Sequence, residues 1–185
     1  MSTLVIQYTP RAESRTAKLL KAYIANETDV VVRDISELSL PNITAEVMAE
    51  FMSENKTTAF GALSAEITTE IKQAEKIIIA APMYNFGLPA QVKSYIDLAC
   101  IAGQTFEYTA QGPAGLLDIK EATMISTSGG VPFGSPVDLL TPAINTVVNF
   151  WAKGDVELKK ITLDGLNAGT EEEADQKLAE LIASL

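Results

Sequence analysis

Histidine is absent from the 185 residues, and cysteine occurs once, at Cys100. These absences remove the commonest general base, the usual nitrogen ligand of metals and every Ser-His or Cys-His dyad. Zinc and iron–sulfur sites need more such ligands. We therefore predict no metal site and name no catalytic acid or base. An enzyme of this composition depends on a cofactor for its difficult chemistry.

A single cysteine also allows no disulfide within the chain. Cys100 falls on the apolar face of a predicted helix, where we expect a small buried hydrophobe. Both features suit a reducing, cytoplasmic environment.

Positive charge is scarce as well. The chain has 14 Lys and Arg against 24 Asp and Glu, a formal net charge of −10, which argues against nucleic acid or an anionic membrane as a partner. No apolar run approaches the ~20 residues of a membrane span. The first residues enter a strand directly, without the pattern of a signal peptide. With 47% hydrophobic residues, the composition predicts one folded domain over residues 1–185.

Short apolar runs alternate with segments of helical periodicity along the chain. Strands are predicted at Leu4–Tyr8, Val30–Ile35, Lys76–Ala81, Glu121–Ser126 and Val156–Leu163. Helices are predicted at Ala17–Asn26, Ala45–Met52, Ser64–Ala74, Ala90–Ala102, Val137–Trp151 and Glu171–Leu185, with a polar turn at Glu54–Thr57. This alternation predicts an α/β fold, a doubly wound parallel sheet of five strands in the order 2-1-3-4-5 with helices on both faces. The regular alternation of the last strand places it at an edge.

The loop after the third strand carries the least usual residues. Pro82, Met83, Tyr84, Asn85 and Phe86 follow an isoleucine-rich strand and precede a helix. Surface loops usually carry small polar residues, whereas two rings, a thioether and an amide can contact the face and edge of a planar ligand. Alternatively, Met83 and Phe86 close one end of the core.

The first strand leads into a turn rich in hydroxyl and guanidinium groups. Thr9, Arg11, Ser14, Arg15 and Thr16 surround the start of a helix for which Ser14 is a suitable N-cap. A helix N-terminus with added donors can hold a phosphate, and the absence of glycines favours one terminal phosphate over a pyrophosphate. The alternative is a well-capped helix with exposed arginines.

Two further segments have ligand-binding features. The fourth strand runs into Thr127-Ser128-Gly129-Gly130, where paired glycines allow backbone to come close to a ligand. Phe106 and Tyr108 share one face of an exposed strand in an excursion that ends near Leu117. That excursion either covers a pocket, meets another subunit or packs on its own core. In the predicted order, strands one, three and four are neighbours, so their three loops converge at the switch point where such sheets bind ligands.

These residues resemble the FMN-dependent NADH-azoreductase family of the flavodoxin-like superfamily, which is related to NAD(P)H:quinone oxidoreductases. The resemblance covers essentially the whole chain and is most specific at Ala80–Phe86 (AAPMYNF), Thr105–Thr109 (TFEYT) and Thr127–Gly130 (TSGG). It implies ping-pong transfer of two electrons from NADH or NADPH, through bound FMN, to a quinone or azo compound. It also implies a homodimer.

The resemblance assigns roles residue by residue. It implies that the FMN phosphate is bound by Thr9, Ser14, Arg15 and Thr16, and that the flavin ring is contacted by Pro82, Met83, Tyr84, Asn85 and Phe86. The polar end of the ring falls to Thr127, Ser128, Gly129 and Gly130, and the substrate side to Phe106 and Tyr108. Arg15 stands where the family commonly has Gln, and Ser128 where some members have Arg, so the preferred nucleotide and acceptor stay open.

Two rival hypotheses come from other classes. The acidic charge also suits an electron carrier of flavodoxin type that docks to basic partners and turns over no small molecule. A flavin-free protein whose loops are purely structural is the third possibility.

Overall fold

A computed structural model describes residues 1–51, 53 and 59–185. Its strands are β1 (Thr3–Gln7), β2 (Val30–Asp34), β3 (Lys76–Ala80), β4 (Phe106–Thr109), β5 (Gly112–Gly115), β6 (Glu121–Thr127) and β7 (Leu158–Leu163). Its helices are α1 (Arg15–Tyr23), α2 (Ala45–Phe51), α3 (Ala59–Gln73), α4 (Ala90–Ala99), α5 (Leu140–Trp151) and α6 (Glu171–Ala183). The polar turn predicted at Glu54–Thr57, and the predicted helix end at Met52, lie outside the described residues.

Five strands form a parallel sheet in the order β2-β1-β3-β6-β7, and β4 and β5 form a separate antiparallel hairpin. Numbering only the sheet strands gives 2-1-3-4-5, so the predicted fold class and order are confirmed. β7 lies at one edge, as its alternation indicates.

The sheet is covered on both faces because its central strand is apolar on both. Ile77 and Ile79 of β3 pack into a cluster with α3, α4 and α5. Ile78 and Ala80 face the opposite way, into a cluster with α1 and α6. Alternate residues of a strand point to opposite faces, so a continuous apolar run belongs at the centre of such a sheet.

Cys100 caps the C-terminal end of α4 and is half-buried, less than predicted. Its Sγ accepts a hydrogen bond from Nε1 of the fully buried Trp151 at 3.2 Å. Burial raises the pKa of the Cys100 thiol, so this group is a structural contact and not an activated nucleophile.

Candidate functional site

The carboxyl ends of β1, β3 and β6 are held side by side beyond the strands themselves. The amide of Tyr8 donates to the carbonyl of Ala80 at 2.8 Å, and the amide of Met83 donates to the carbonyl of Thr127 at 2.9 Å. The three loops that follow these strands therefore start side by side at the same edge of the sheet, as the predicted strand order requires.

A cleft of about 380 Å³ opens between these loops, a size within the range of small-molecule sites. Its lining comprises Pro10, Arg11, Ser14, Arg15, Thr16, Pro82, Met83, Tyr84, Thr127, Ser128, Gly129, Leu166 and Asn167. Nine of these belong to the thirteen residues predicted to bind a cofactor. The structure thus brings the predicted segments together, while their binding role stays a prediction.

The start of α1 forms one end of the cleft. Ser14 is its N-cap, and its Oγ accepts from the amide of Ala17 at 3.2 Å. The amides of Arg15 and Thr16 come first in the helix and have no acceptor within it, so they are available to an anion. The Oγ1 atoms of Thr16 and Thr127 lie 2.7 Å apart in a buried hydrogen bond that fastens this turn to the loop after β6.

The two arginines of this turn differ in their surroundings. Arg15 Nε donates to Asp175 Oδ1 at 2.9 Å, and its Nη2 lies 3.6 Å from Glu171 Oε1, both on α6. Arg11 is exposed at the mouth of the cleft and makes no ion pair with any described residue. The guanidinium of Arg15 is therefore partly committed to α6.

Beyond β3 the chain makes a tight turn. Tyr84 and Gly87 exchange backbone hydrogen bonds of 3.1 and 3.0 Å, and between them Asn85 and Phe86 have φ values of 46° and 73°. A bulky residue seldom adopts positive φ, and such strain is concentrated at binding sites. The carbonyl of Phe86 accepts from the amide of Leu139 at 2.9 Å, which holds the strained turn in place.

The residues of this loop divide between core and cleft. Met83 is 8% exposed and belongs to the hydrophobic core as well as to the cleft lining, so it packs in the core and also borders the cleft. Phe86 is 51% exposed, which excludes the alternative that it closes the core. Asn85 and Phe86 lie on the turn beside the cleft and not in its lining. Tyr84 meets Tyr8 edge-on at 6.4 Å, and burial, together with Tyr84, raises the pKa of Tyr8.

The loop after β6 is fixed on both sides. The amide of Ser128 donates to the carbonyl of Leu163 at 2.9 Å, and its Oγ accepts from the amide of Val131 at 2.9 Å. A side chain at Gly129 would overlap the carboxamide of Asn167, whereas the space at Gly130 is open. Gly129 lines the cleft and Gly130 lies outside its lining, and the expectation that these glycines let backbone come close to a ligand stays a prediction.

Four lining residues were not among the predicted site residues. Pro10 and Arg11 lie between the predicted residues Thr9 and Ser14 of the first turn, and Leu166 and Asn167 follow β7. The amide of Asn167 donates to the carbonyl of Gly129 at 2.7 Å, so this fourth loop is attached directly to the third. The sequence does carry a signal for Leu166 and Asn167, because ligands bind at the carboxyl ends of parallel strands and these residues follow the last strand.

Thr9 lies beside the cleft and not in its lining. Its Oγ1 accepts from Gln7 Nε2 at 2.8 Å, and its amide donates to Ser36 Oγ at 2.9 Å. The bond to Ser36 ties the first turn to the segment after β2, so Thr9 supports the shape of the turn.

Phe106 and Tyr108 belong to a different surface. Phe106 is 6% exposed and packs on Phe150 with ring centroids 4.4 Å apart, while Tyr108 is 77% exposed. Both line a second groove of about 540 Å³ with Ile43, Met48, Phe51, Lys93, Asp97, Cys100, Ile101 and Ala102. Within one chain, the hairpin therefore packs on its own core and does not reach the cleft.

The chain is similar to known proteins over its whole length. A family described as having a flavodoxin-like fold matches residues 1–185. The chain belongs to this family. A curated relative from Alteromonas mediterranea, named FMN-dependent NADH:quinone oxidoreductase, is 37% identical, with 91% of this chain and 92% of the relative covered. A relative of the same name from Vibrio vulnificus is 37% identical over 84% of this chain and 82% of its own length.

Solved structures agree on the fold. An azoreductase from Bacillus anthracis superposes with a TM-score of 0.83 at 21% identity, covering 100% of this chain and 96% of the other. An FMN-dependent NADH-azoreductase from the same species, crystallised in complex with FMN, gives a TM-score of 0.79 at 20% identity, covering 100% and 97%. The family match and the curated relatives confirm, at the level of the family, the resemblance drawn from the sequence motifs.

None of the helices in the described residues is both long and apolar enough to cross a bilayer. The same part of the chain contains no group of three or more carboxylate or thiol side chains arranged to hold a metal ion.

Proposed function

We propose that this protein is an FMN-dependent oxidoreductase that transfers two electrons from NADH to a quinone or an azo compound. The observation that carries the proposal is the cleft at the carboxyl ends of β1, β3 and β6, in a chain 37% identical to curated FMN-dependent NADH:quinone oxidoreductases. In doubly wound sheets this switch point is where ligands bind.

The lining of the cleft fits FMN from one end to the other. The N-terminus of α1, with Ser14 and the amides of Arg15 and Thr16, suits the phosphate. Pro82–Tyr84 offer apolar and aromatic contact for the ring system, and Asn85 and Phe86 stand on the adjoining turn. Thr127–Gly129 and Asn167 offer hydroxyl, amide and carboxamide groups for the polar end of the ring, and Gly130 follows directly beside the lining.

When bound, FMN supplies the hydride chemistry, since a flavin accepts and returns two electrons without a protein base. The described lining holds no carboxylate. The protein's own residues bind and orient: the buried Thr16–Thr127 bond fixes two loops relative to each other, and the strained turn at Asn85 and Phe86 is held by Leu139.

We propose a homodimer in which the hairpin of one protomer covers the cleft of the other. Tyr108 is 77% exposed yet lies outside its own cleft, so a role on the substrate side requires a second copy. Exposed apolar side chains occur both around the hairpin groove, at Ile43 and Met48, and beside the cleft, at Phe86 and Leu139. Exposed apolar surface of this kind marks contact sites.

We further propose that residues 1–185 act as one domain in the cytoplasm. One parallel sheet with a core on each face, and a family match over the same residues, support the single domain. The single, half-buried cysteine supports a reducing compartment.

Steady-state kinetics test the proposed function. The purified protein, supplied with FMN, should oxidise NADH when menadione or methyl red is present and should give parallel lines in double-reciprocal plots. Ser14→Ala should weaken FMN retention, whereas Ser184→Ala, at the remote C-terminal end of α6, should leave it unchanged. An FMN-loaded protein that turns over neither acceptor and accumulates a one-electron-reduced flavin would instead be an electron carrier.

A further inference from the structure

The charges around the start of α1 do not balance an incoming phosphate. Arg15 is the cation nearest to the helix start, but it faces two carboxylates, Asp175 at 2.9 Å and Glu171 at 3.6 Å. One turn further on, Lys18 pairs with Glu13 at 2.9 Å. These paired groups together carry net negative charge.

A phosphate monoester carries about −1.5 to −2 charges at neutral pH. The N-terminus of a helix contributes only about +0.5. The amides and hydroxyls of Ser14 and Thr16 can satisfy phosphate oxygens as hydrogen-bond donors, but they leave most of this charge uncompensated. A cation that is not already paired with a carboxylate would compensate the remaining charge.

Arg11 is such a cation. It lines the cleft, it is exposed, and no described carboxylate forms an ion pair with it. The amide of Ser14 donates to the carbonyl of Arg11 at 3.1 Å, so Arg11 begins the turn whose other end caps α1. Its side chain therefore leaves the backbone beside the phosphate end of the cleft.

We propose that Arg11, and not the guanidinium of Arg15, is the residue that neutralises the phosphate of the bound flavin nucleotide. Arg15 serves this site through its backbone amide, while its side chain joins the start of α1 to α6. The inference rests on the proposed function, because it takes FMN as the occupant of the cleft. An arginine fork that pairs with phosphate oxygens gives charge and two directed donors at once.

Flavin binding separates the two arginines. Apoprotein is titrated with FMN and, separately, with riboflavin, which lacks the phosphate, and the quenching of flavin fluorescence gives each dissociation constant. Arg11→Ala should raise the dissociation constant for FMN about tenfold or more and leave that for riboflavin within twofold. The dissociation constant of Arg11→Lys for FMN should lie between those of the parent and of Arg11→Ala, because lysine keeps the charge but lacks the two directed donors of the guanidinium group.

Arg15→Ala is the matched control, since it removes the same side chain from the same turn. It should weaken FMN less than Arg11→Ala does, and circular dichroism checks that each variant is folded. The affinity of the parent for FMN should fall with added salt, and more steeply than that of Arg11→Ala.

Three results overturn the proposal. The first is an FMN affinity of Arg11→Ala within twofold of the parent, and the second is a larger loss from Arg15→Ala than from Arg11→Ala. The third is a rise only in the KM for NADH, which would assign Arg11 to the pyrophosphate of the donor. In these cases the parent still binds FMN, so the proposed function survives. A parent that binds neither flavin would remove the proposed function together with this inference.

Discussion

Replacing Asp138 by asparagine should destabilise the protein by about 2 kcal/mol at neutral pH. The buried carboxylate accepts three backbone hydrogen bonds, from Gly134 to Oδ2 at 2.8 Å and from Leu140 and Thr141 to Oδ1 at 3.1 and 3.0 Å. Asparagine has the same shape and keeps one acceptor oxygen, but its NH₂ group would face the amide of Gly134. One charge-assisted bond is lost and a donor is left facing a donor, while the bonds from the amides of Leu140 and Thr141 remain.

The contribution of Asp138 to the stability of the fold depends on pH. Burial alone raises the pKa of a carboxyl group, but donors from Gly134, Thr141 and Leu140 outweigh it, so the pKa of Asp138 lies below its ordinary value. A lowered folded-state pKa stabilises the fold above the unfolded value of about 3.9 and loses that effect as pH falls through the folded value. The difference in stability between parent and Asp138→Asn should therefore shrink below about pH 4.

Urea denaturation at pH 7 and at pH 3 measures both effects. With a slope of about 2 kcal/mol per molar urea, the midpoint at pH 7 should fall by about 1 M. Asp164→Asn is a graded control, because within the described residues Asp164 accepts a single backbone bond, from Phe133 at 3.1 Å, and should cost clearly less. Equal midpoints for parent and Asp138→Asn, or a gap that widens on acidification, would refute this account of the loop.

Two further substitutions test the contacts that shape the cleft. Thr16→Val and Thr127→Val should each lower the free energy of unfolding by about 1–2 kcal/mol, because each change leaves the other buried hydroxyl without its partner. The double variant should lose about 1 kcal/mol less than the sum of the two. Additive losses in urea titrations would mean that the two hydroxyls do not interact. Gly129→Ala should lower the melting temperature, and adding Asn167→Ala should restore part of the loss. Gly130→Ala meets open space and should leave the melting temperature within about a degree or two of the parent. Equal effects of the two substitutions would contradict the packing of Gly129 on Asn167.

The fold could be predicted because its determinants are local and periodic. The isoleucines of β3 face alternate sides of the sheet, and each side is covered by helices whose apolar stripes are visible in the sequence. Element boundaries were less accurate where a single side chain sets them. α5 begins at Leu140 and not at Val137, because the carboxylate of Asp138 takes the first free amides.

The site was predictable as three loops, but not as a list of contacts. Strand order brings Ser14, Met83 and Thr127 to the same edge of the sheet, and that order follows from the alternation of strands and helices. Which of two arginines pairs with α6, and which glycine packs on Asn167, depends on side-chain positions contributed by segments far away in the chain. No periodicity encodes those contacts.

The hairpin shows a different limit. Alternation correctly places Phe106 and Tyr108 together, with ring centroids 5.3 Å apart, yet one is buried and the other exposed. A sequence pattern assigns residues to a face, but it does not say whether that face meets its own chain or a second copy.

The most direct test of the central claim is a titration of ¹⁵N-labelled protein with FMN, followed by amide chemical shifts. The account predicts large shifts for Arg15 and Thr16 at the start of α1, for Tyr84 after β3 and for Gly129 after β6. Shifts centred on another surface, or none at all at saturating FMN, would contradict the placement of the cofactor between the three loops.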